Sequence, residues 1–285
     1  MSTRRDTLSL PDPGGLLMPE PRHILSLSGG KDSAALAVYL RDTVPEMEYV
    51  FHDTGHELPE TYDYLDRLQA LLGRKIVKTT DNLEDPFEHW LTIYGGMLPS
   101  NHRRWCTKMM KLRPFEDYVG DDEVVNYVGL RADERVREGY ISTKPNITAV
   151  YPFQDDGLVK EDIVRILEES GLGMPPYLDW GRSRSGCYFC FYQQKVEWVR
   201  LREAHPDLFE KAKRYEEASA RDGEAFYWCR TEPLSELERP ERMAEIKAKA
   251  EAKENAPRRA TRLVETLGGM DVAEEEREGC LICFL

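Results

Sequence analysis

The sequence predicts an α/β protein: a twisted, mostly parallel sheet with helices on both faces, followed by a mainly helical C-terminal region. Two observations carry this. Short apolar, β-prone runs alternate with amphipathic helical segments, the pattern of β-α-β units. The stretches after these runs are polar and rich in glycine or cations, as expected where an open sheet holds a ligand beyond the carboxyl ends of its strands.

Residues 1–22 are polar and contain Pro11, Gly14, Gly15, Pro19 and Pro21, so they read as an irregular arm. Ile24 to Leu27 is the first strand. It enters Ser28-Gly29-Gly30-Lys31-Asp32-Ser33, and a small-residue helix runs on from Ala34 to Leu40. Strand, tight glycine turn and helix N-terminus aim backbone N–H groups at a phosphate. Gly29 and Gly30 admit positive φ and let an anion approach the backbone. Ser28 and Ser33 add hydroxyls, and Lys31 adds a compact cation. The longer G-x-x-x-x-G-K-[ST] loop is absent.

Glu48 to His52 is the second strand, ending in Asp53-Thr54-Gly55-His56-Glu57-Leu58-Pro59. Asp53 therefore falls where a ribose or a metal sits, or caps a turn. Pro59 suits the first helical position, and Tyr62 to Leu72 continues as an amphipathic helix. Lys75 to Thr79 reads as a third strand and Phe87 to Tyr94 as a short helix broken by Gly95-Gly96.

Arg103 to Arg113 then places five cations and Cys106 in eleven residues. On a regular helix Arg104, Lys108 and Lys111 share one face. Nearby cations lower a thiol's pKa, which marks Cys106 as a candidate reactive group. Glu123 to Val128 is the fourth strand. It runs into Gly129 and the arginines Arg131, Arg135 and Arg137, which offer a clamp for a phosphate. Lys160 to Glu169 is an amphipathic helix ended by Gly171. A C-x2-C pair, Cys187 and Cys190, comes after Arg182, Arg184 and Gly186. Gln193 to Arg221 reads as helix interrupted near Pro206. The charged segment Glu236 to Leu267 is helical too, broken at Pro240 and Pro257.

The chain has 285 residues, 41 % apolar content and a formal net charge of −13. That balance excludes a protein holding nucleic acid by bulk electrostatics, so any such contact is local or made through partner subunits. Six cysteines, no secretory signal and no run of about 20 apolar residues point to a reducing cytoplasm and no membrane span. Two C-x2-C pairs favour metal or redox chemistry over disulfides. The six histidines show no metal-binding spacing and read as polar loop residues.

The motifs SGGKDS, HDTGHELPET, RRWCTKMMKLRP, VGLRADERVR, YPF and YLDWGRSRSGCYFC occur in this order. Together they resemble the PAPS-reductase-like branch of the PP-loop ATP pyrophosphatases, over about residues 23–205. The resemblance implies an adenine-nucleotide α-hydrolase-like fold. It divides the chain into an arm over 1–22, a PP-loop domain over 23–180 and a cysteine-containing helical region over 181–285. It implies that Ser28, Gly29, Gly30, Lys31, Asp32 and Ser33 hold the pyrophosphate of Mg-ATP. Asp53, Thr54, Gly129 and Arg131 would then lie near the nucleotide. Lys31, Asp32 and Cys106 become the catalytic candidates. Arg131, Arg135, Arg137, Arg182 and Arg184 become candidates for holding an anionic acceptor.

Within the branch, the tandem cysteine of the adenosine phosphosulfate reductases is Trp105-Cys106 here, and the terminal GCLICFL matches their C-terminal motif poorly. The sulfur-inserting members, among them DNA phosphorothioation ATP pyrophosphatases and tRNA thiolases with iron–sulfur clusters, match better. Three ligand sets stay open: Cys106, Cys187, Cys190 and Cys283 (or Cys280) around a [4Fe-4S] cluster; the first three alone with one iron open; or zinc on the two C-x2-C pairs. Cys229 reads as a buried structural cysteine. The implied activity is adenylation of an acceptor oxygen followed by sulfur insertion, first into a DNA backbone phosphate. The alternatives are a tRNA base as acceptor, or sulfonucleotide reduction. A cysteine desulfurase is the expected sulfur donor, and a homodimer is compatible with the pattern.

Overall fold

The structure is a computed structural model that describes residues 20–44, 46–80, 83–134, 144–219, 226–229 and 231–255. Arg135, Arg137, Cys280 and Cys283 lie outside the described residues.

The elements run β1 (Arg22–Leu27), α1 (Lys31–Leu40), β2 (Glu48–His52), α2 (Pro59–Leu72), β3 (Ile76–Thr79) and α3 (Pro86–Ile93). Next come α4 (Trp105–Thr107), a π-helical turn (Lys108–Leu112), α5 (Arg113–Val119), β4 (Val124–Tyr127), β5 (Ile147–Val150), α6 (Pro152–Asp155) and α7 (Lys160–Glu169). A 3-10 turn (Pro176–Leu178) leads to α8 (Lys195–Ala204), α9 (Pro206–Ser219), α10 (Leu234–Leu237) and α11 (Pro240–Glu254).

The five strands form one sheet in the order β3-β2-β1-β4-β5. Every neighbouring pair is parallel, with Leu27 opposite Phe51 and Leu25 opposite Tyr127. The chain builds outward from β1 on one side, then returns to the other side for β4. This reversal opens a crevice beyond the carboxyl ends of β1 and β4, where an open sheet binds its ligand.

Side-chain alternation assigns the two faces. Leu25, Leu27, Tyr49 and Phe51 pack with α1, α2 and α7 through Leu36, Leu65, Ile163 and Leu167. Ile24, Val50, Val124 and Ile147 point the other way, onto Phe115 and Val119 of α5. Helices thus cover both faces, as the sequence predicts.

Three features depart from the sequence reading. Strand β5 is an addition to it: Ile-Thr-Ala-Val is four residues long and pairs only with β4 at the sheet's edge. The helix carrying Cys106 is interrupted by the π turn, which changes the angular spacing of its side chains. Lys108 is exposed while Lys111 turns inward, so Arg104, Lys108 and Lys111 do not share one face. Finally, the C-terminal helices share a core with the α/β part: Phe87, Trp105 and Met110 pack in one cluster with Trp198, Phe209 and Trp228. That cluster crosses residue 181. Among the described residues, no helix is long and apolar enough to cross a membrane.

Candidate functional site

The loop over residues 28–33 is held by its own residues. Ser28 N donates to Ser33 Oγ at 3.1 Å, and Ser33 Oγ donates to Gly30 O at 3.2 Å. Gly30 N donates to Ser28 Oγ at 3.3 Å. Gly29 has φ +70, and a Cβ there would overlap Thr61 Cγ2 of α2, so both conformation and space require glycine. No side chain caps α1, whose first turn begins at Lys31. Its leading amides are the donors that suit an anion.

Asp32 is 5 % exposed and joins two cations: its carboxylate accepts from Lys31 Nζ and from Arg131 Nη1, each at 2.8 Å. Arg131 arrives from the exit of β4 and also pairs with Asp133 and Glu134. Gly129 permits this approach. A Cβ there would stand 3.1 Å from the carbonyl carbon and oxygen of Asp32. Lys31, Asp32, Gly129 and Arg131, far apart in sequence, therefore meet at the crevice.

The exit of β2 supplies the next wall. Asp53 Oδ1 accepts from Gly55 N at 2.9 Å and from Tyr62 OH at 2.7 Å. Thr54 Oγ1 donates to Glu57 Oε1 at 3.1 Å and lies 3.2 Å from Cys187 Sγ. Burial raises the pKa of the Glu57 carboxyl. Its other oxygen is buried with no hydrogen-bond partner. His52 is buried beside Thr79, and burial pushes its pKa down to about 3, which keeps the ring neutral. His56 pairs with Asp85.

The cysteine loop lies on this wall. Tyr188 N donates to His56 O at 2.9 Å, and Glu57 and Cys187 form an isolated antiparallel bridge. Arg182 is 1 % exposed and donates to Gln193 Oε1, Cys187 O, Gly186 O and Arg184 O. This corrects the anion-holding place expected for Arg182: its N–H donors fasten the cysteine loop from inside. Ser185 Oγ lies 2.9 Å from where a Cβ on Gly30 would stand, so the cysteine loop rests on the loop over residues 28–33.

Cys106, Cys187 and Cys190 line one cavity, together with Thr54, Lys111 and Tyr192. Burial raises the Cys187 pKa, and Glu57 adds to the rise while Lys111 opposes it. Thiols from two distant segments opening into one cavity suit an iron–sulfur group by donor chemistry. Among the described residues, no three His, Cys, Asp or Glu side chains stand at metal-ligating spacing. The zinc set draws on Cys280 and Cys283, outside the described residues. Cys229 is buried, does not line this cavity, and has its pKa pushed up to about 12 by burial.

Sequence reasoning missed Glu57, Lys111, Ser185 and Tyr192 as parts of the site. Glu57 stands in the HELPET motif between His56 and Leu58, with Glu60 three residues on. The inward turn of Lys111 depends on the π turn, which no local residue preference announces.

An uncharacterised protein of Methanocaldococcus jannaschii is 24% identical over 196 residues, covering 65% of this chain and 45% of its own. This chain thus spans less than half the length of that relative. An adenosine 5′-phosphosulfate reductase of Streptomyces coelicolor is 25% identical over 176 residues, 58% of this chain and 70% of that one. The crystal structure of a phosphoadenylyl-sulfate reductase from Candida auris, in its phosphate complex, superposes with a TM-score of 0.48. It is 16% identical, over 60% of this chain and 84% of that one. The family model of the phosphoadenosine phosphosulfate reductase domain matches residues 22–193, more than half of the chain, and the protein belongs to that family.

Proposed function

We propose that the protein is an ATP pyrophosphatase that adenylates an acceptor oxygen and supports sulfur insertion, with a DNA backbone phosphate as the acceptor. One observation carries this reading. The nucleotide loop and the thiol cavity are one site: Ser185 packs on Gly30, and Cys187 meets Thr54 at the exit of β2. A nucleotide at the strand ends therefore lies beside the thiols.

The loop amides and Lys31 hold the β and γ phosphates of ATP, and Asp32 fixes Lys31 and Arg131 in place. The acceptor oxygen attacks the α phosphorus. The new P–O bond forms as the α–β bond breaks, and pyrophosphate leaves with the bonding pair. Preplaced cations and amides stabilise the charge on that leaving group. Mg2+ would add to this neutralisation. Adenylation turns a poor oxygen leaving group into AMP, which sulfide-level sulfur then displaces. Cys106, Cys187 and Cys190 would hold an iron–sulfur cluster, which would supply an iron site that binds sulfide. A cysteine desulfurase is the proposed sulfur source: its persulfide carries sulfane sulfur, which a dithiol reductant would reduce by two electrons to sulfide before that sulfide displaces AMP. Partner subunits would present DNA to a chain of net charge −13.

The test has two arms. Acceptor-dependent pyrophosphate release from ATP is the expected result, and its absence rejects the reading. After reconstitution with a desulfurase, nuclease digestion and mass spectrometry should find phosphorothioate dinucleotides. Iron, sulfide and zinc analysis of anaerobically purified protein decides between cluster and zinc. A second reading, sulfonucleotide reduction, is supported by the family itself; sulfite release from a sulfonucleotide without ATP cleavage would establish it in place of the first.

A further inference from the structure

We infer that Asp133 and Glu134 are positioning residues for Arg131: they fix its guanidinium at the crevice before ATP arrives, and they bind neither the nucleotide nor its metal. This deepens the proposed function and rests on its reading that the loop over residues 28–33 takes ATP. Each of the three guanidinium nitrogens faces a different carboxylate. Nη1 meets Asp32 Oδ1 at 2.8 Å, Nε meets Asp133 Oδ1 at 2.9 Å and Nη2 meets Glu134 Oε1 at 3.2 Å. The main chain is held as well. Arg131 N donates to Glu134 Oε2 at 3.4 Å, and Glu134 N donates to Arg131 O at 3.1 Å. One carboxylate thus grips both the backbone and the fork of the same arginine. Ala132 N donates to Leu158 O at 2.9 Å, which anchors the turn to the segment between α6 and α7.

The charge balance of this corner sets the role of the two acids. Lys31 and Arg131 bring two cations, and Asp32, Asp133 and Glu134 bring three carboxylates. The group is net negative, which repels a polyanion rather than drawing it in. Asp32 has a place of its own, joining Lys31 to Arg131 in the first turn of α1. Asp133 and Glu134 add no attraction for phosphate; they add orientation. Contacts at three nitrogens fix both the direction and the roll of the planar group. An arginine has a long stem with many rotamers, so a fork held in advance loses less freedom when a ligand arrives. Of five N–H donors, the three contacts leave a second N–H on Nη1 and one on Nη2 for phosphate oxygens. The guanidinium itself sits among the three carboxylates, in the place that a cation shared by them would take.

The experiment is calorimetric titration of ATP into the full chain, purified anaerobically, once with Mg2+ and once with EDTA in its place. Asp133→Ala and Glu134→Ala should each weaken ATP about fivefold, and together on the order of 20-fold, in both buffers. The sign separates the possible roles. Acids acting by charge alone would repel ATP, so tighter binding by the variants overturns the inference. A loss confined to the Mg2+ buffer makes the two residues metal ligands and overturns it too. Glu134→Gln keeps an acceptor oxygen for Arg131 and should stay within about twofold of the parent; a loss as deep as that of Glu134→Ala overturns the hydrogen-bonded posture. In an Arg131→Gln background the alanine changes should cost nothing further, because the side chain they position is gone. Losses that add in full there overturn the positioning role. If the double variant does not fold, the single variants decide by the same readouts. A parent protein that binds no ATP rejects the proposed function and this role together. A parent that binds ATP, with alanine variants equal to it within about twofold, rejects this role alone.

Discussion

The SGGKDS loop and the thiol cavity lie side by side and are built in opposite ways. The loop is six consecutive residues tied together by Ser28 and Ser33, and its hydrogen bonds span five residues or fewer. The cavity is assembled from Cys106, Lys111 and the Cys187–Cys190 turn, brought together by the packing of two parts of the chain. A local device survives changes elsewhere in the fold. An assembled one depends on every contact that positions its pieces. Arg182, Gln193 and the aromatic core around Phe87, Phe189 and Trp228 therefore matter to the cavity as much as its cysteines do.

The sharpest break of this comparison is in the loop. Lys31→Ala and Asp32→Ala should each lower pyrophosphate release on the order of 100- to 1000-fold. Lys31→Ala removes a cation from the leaving group. Asp32→Ala leaves Lys31 and Arg131 without the carboxylate that sets both. Circular dichroism and the melting temperature should change little for Lys31→Ala, because that side chain is partly exposed and Arg131 still pairs with the Asp32 carboxylate. Normal ATP cleavage by both variants would reject the loop assignment.

Gly129→Ala tests the seam between the loop and the rest of the sheet. A Cβ there would press on the Asp32 carbonyl at 3.1 Å, backbone against backbone, with no flexible side chain to give way. The expected cost is about 1–3 kcal/mol of stability, with weaker ATP binding, read by thermal melts and nucleotide titration. A neutral variant would mean that β4 can draw away from α1 without consequence, and that the crevice is less closely set than Gly129 implies.

This contrast also explains what could be read in the sequence. Strands β1 to β4 are apolar runs that end in polar loops, and their signals are local. The SGGKDS loop is legible for the same reason: its chemistry is contiguous. Strand β5 is not legible, because Ile147–Val150 is short and its strand character comes from pairing with β4. The shared cavity of Cys106, Cys187 and Cys190 is legible only through resemblance; spacing alone favours zinc on the two C-x2-C pairs. The roles of Glu57, Ser185 and Tyr192 depend on the cysteine loop lying across the exit of β2, a tertiary fact with no local trace.

Glu216 probes the helical part that supports the cavity. Its two carboxylate oxygens accept from Trp228 N and Leu234 N, each at 2.7 Å, which ties α9 to Trp228 and to the first residue of α10. In Glu216→Gln one amide faces the side-chain NH2 and loses its acceptor. The expected loss is about 1–3 kcal/mol by urea unfolding, with ATP binding retained. The pH dependence has a definite sign. Burial pushes this carboxyl up to about 7 from an ordinary 4.5, and the two backbone N–H groups oppose the rise. A group raised on folding contributes stability that is full below 4.5 and is lost as pH rises toward 7. The variant should lack that component, and an unchanged pH profile would place the titration elsewhere.

The smallest effect is expected at the opposite end of the sheet from the site. Arg22 Nε and Nη2 meet Glu48 Oε1 and Oε2 at 2.8 and 2.7 Å, and Tyr118 OH donates to Oε2 at 2.6 Å. This fork links β1 to β2 and to α5. Both charged side chains are about three-tenths exposed, so the pair is screened, and Glu48→Gln should cost only about 1 kcal/mol. The hydrogen bonds from Arg22 lower the Glu48 pKa, with a smaller push from Tyr118 against the opposing effect of burial. Its contribution is thus present above the ordinary carboxylate value of 4.5 and fades as pH falls below it, the reverse of Glu216. Added salt should shrink the difference between the parent protein and the variant, while pyrophosphate release stays at the parent rate. A loss of activity from this remote change would mean that strand pairing at the amino ends sets the crevice at the carboxyl ends, and the loop would then be less self-contained than its hydrogen bonds make it.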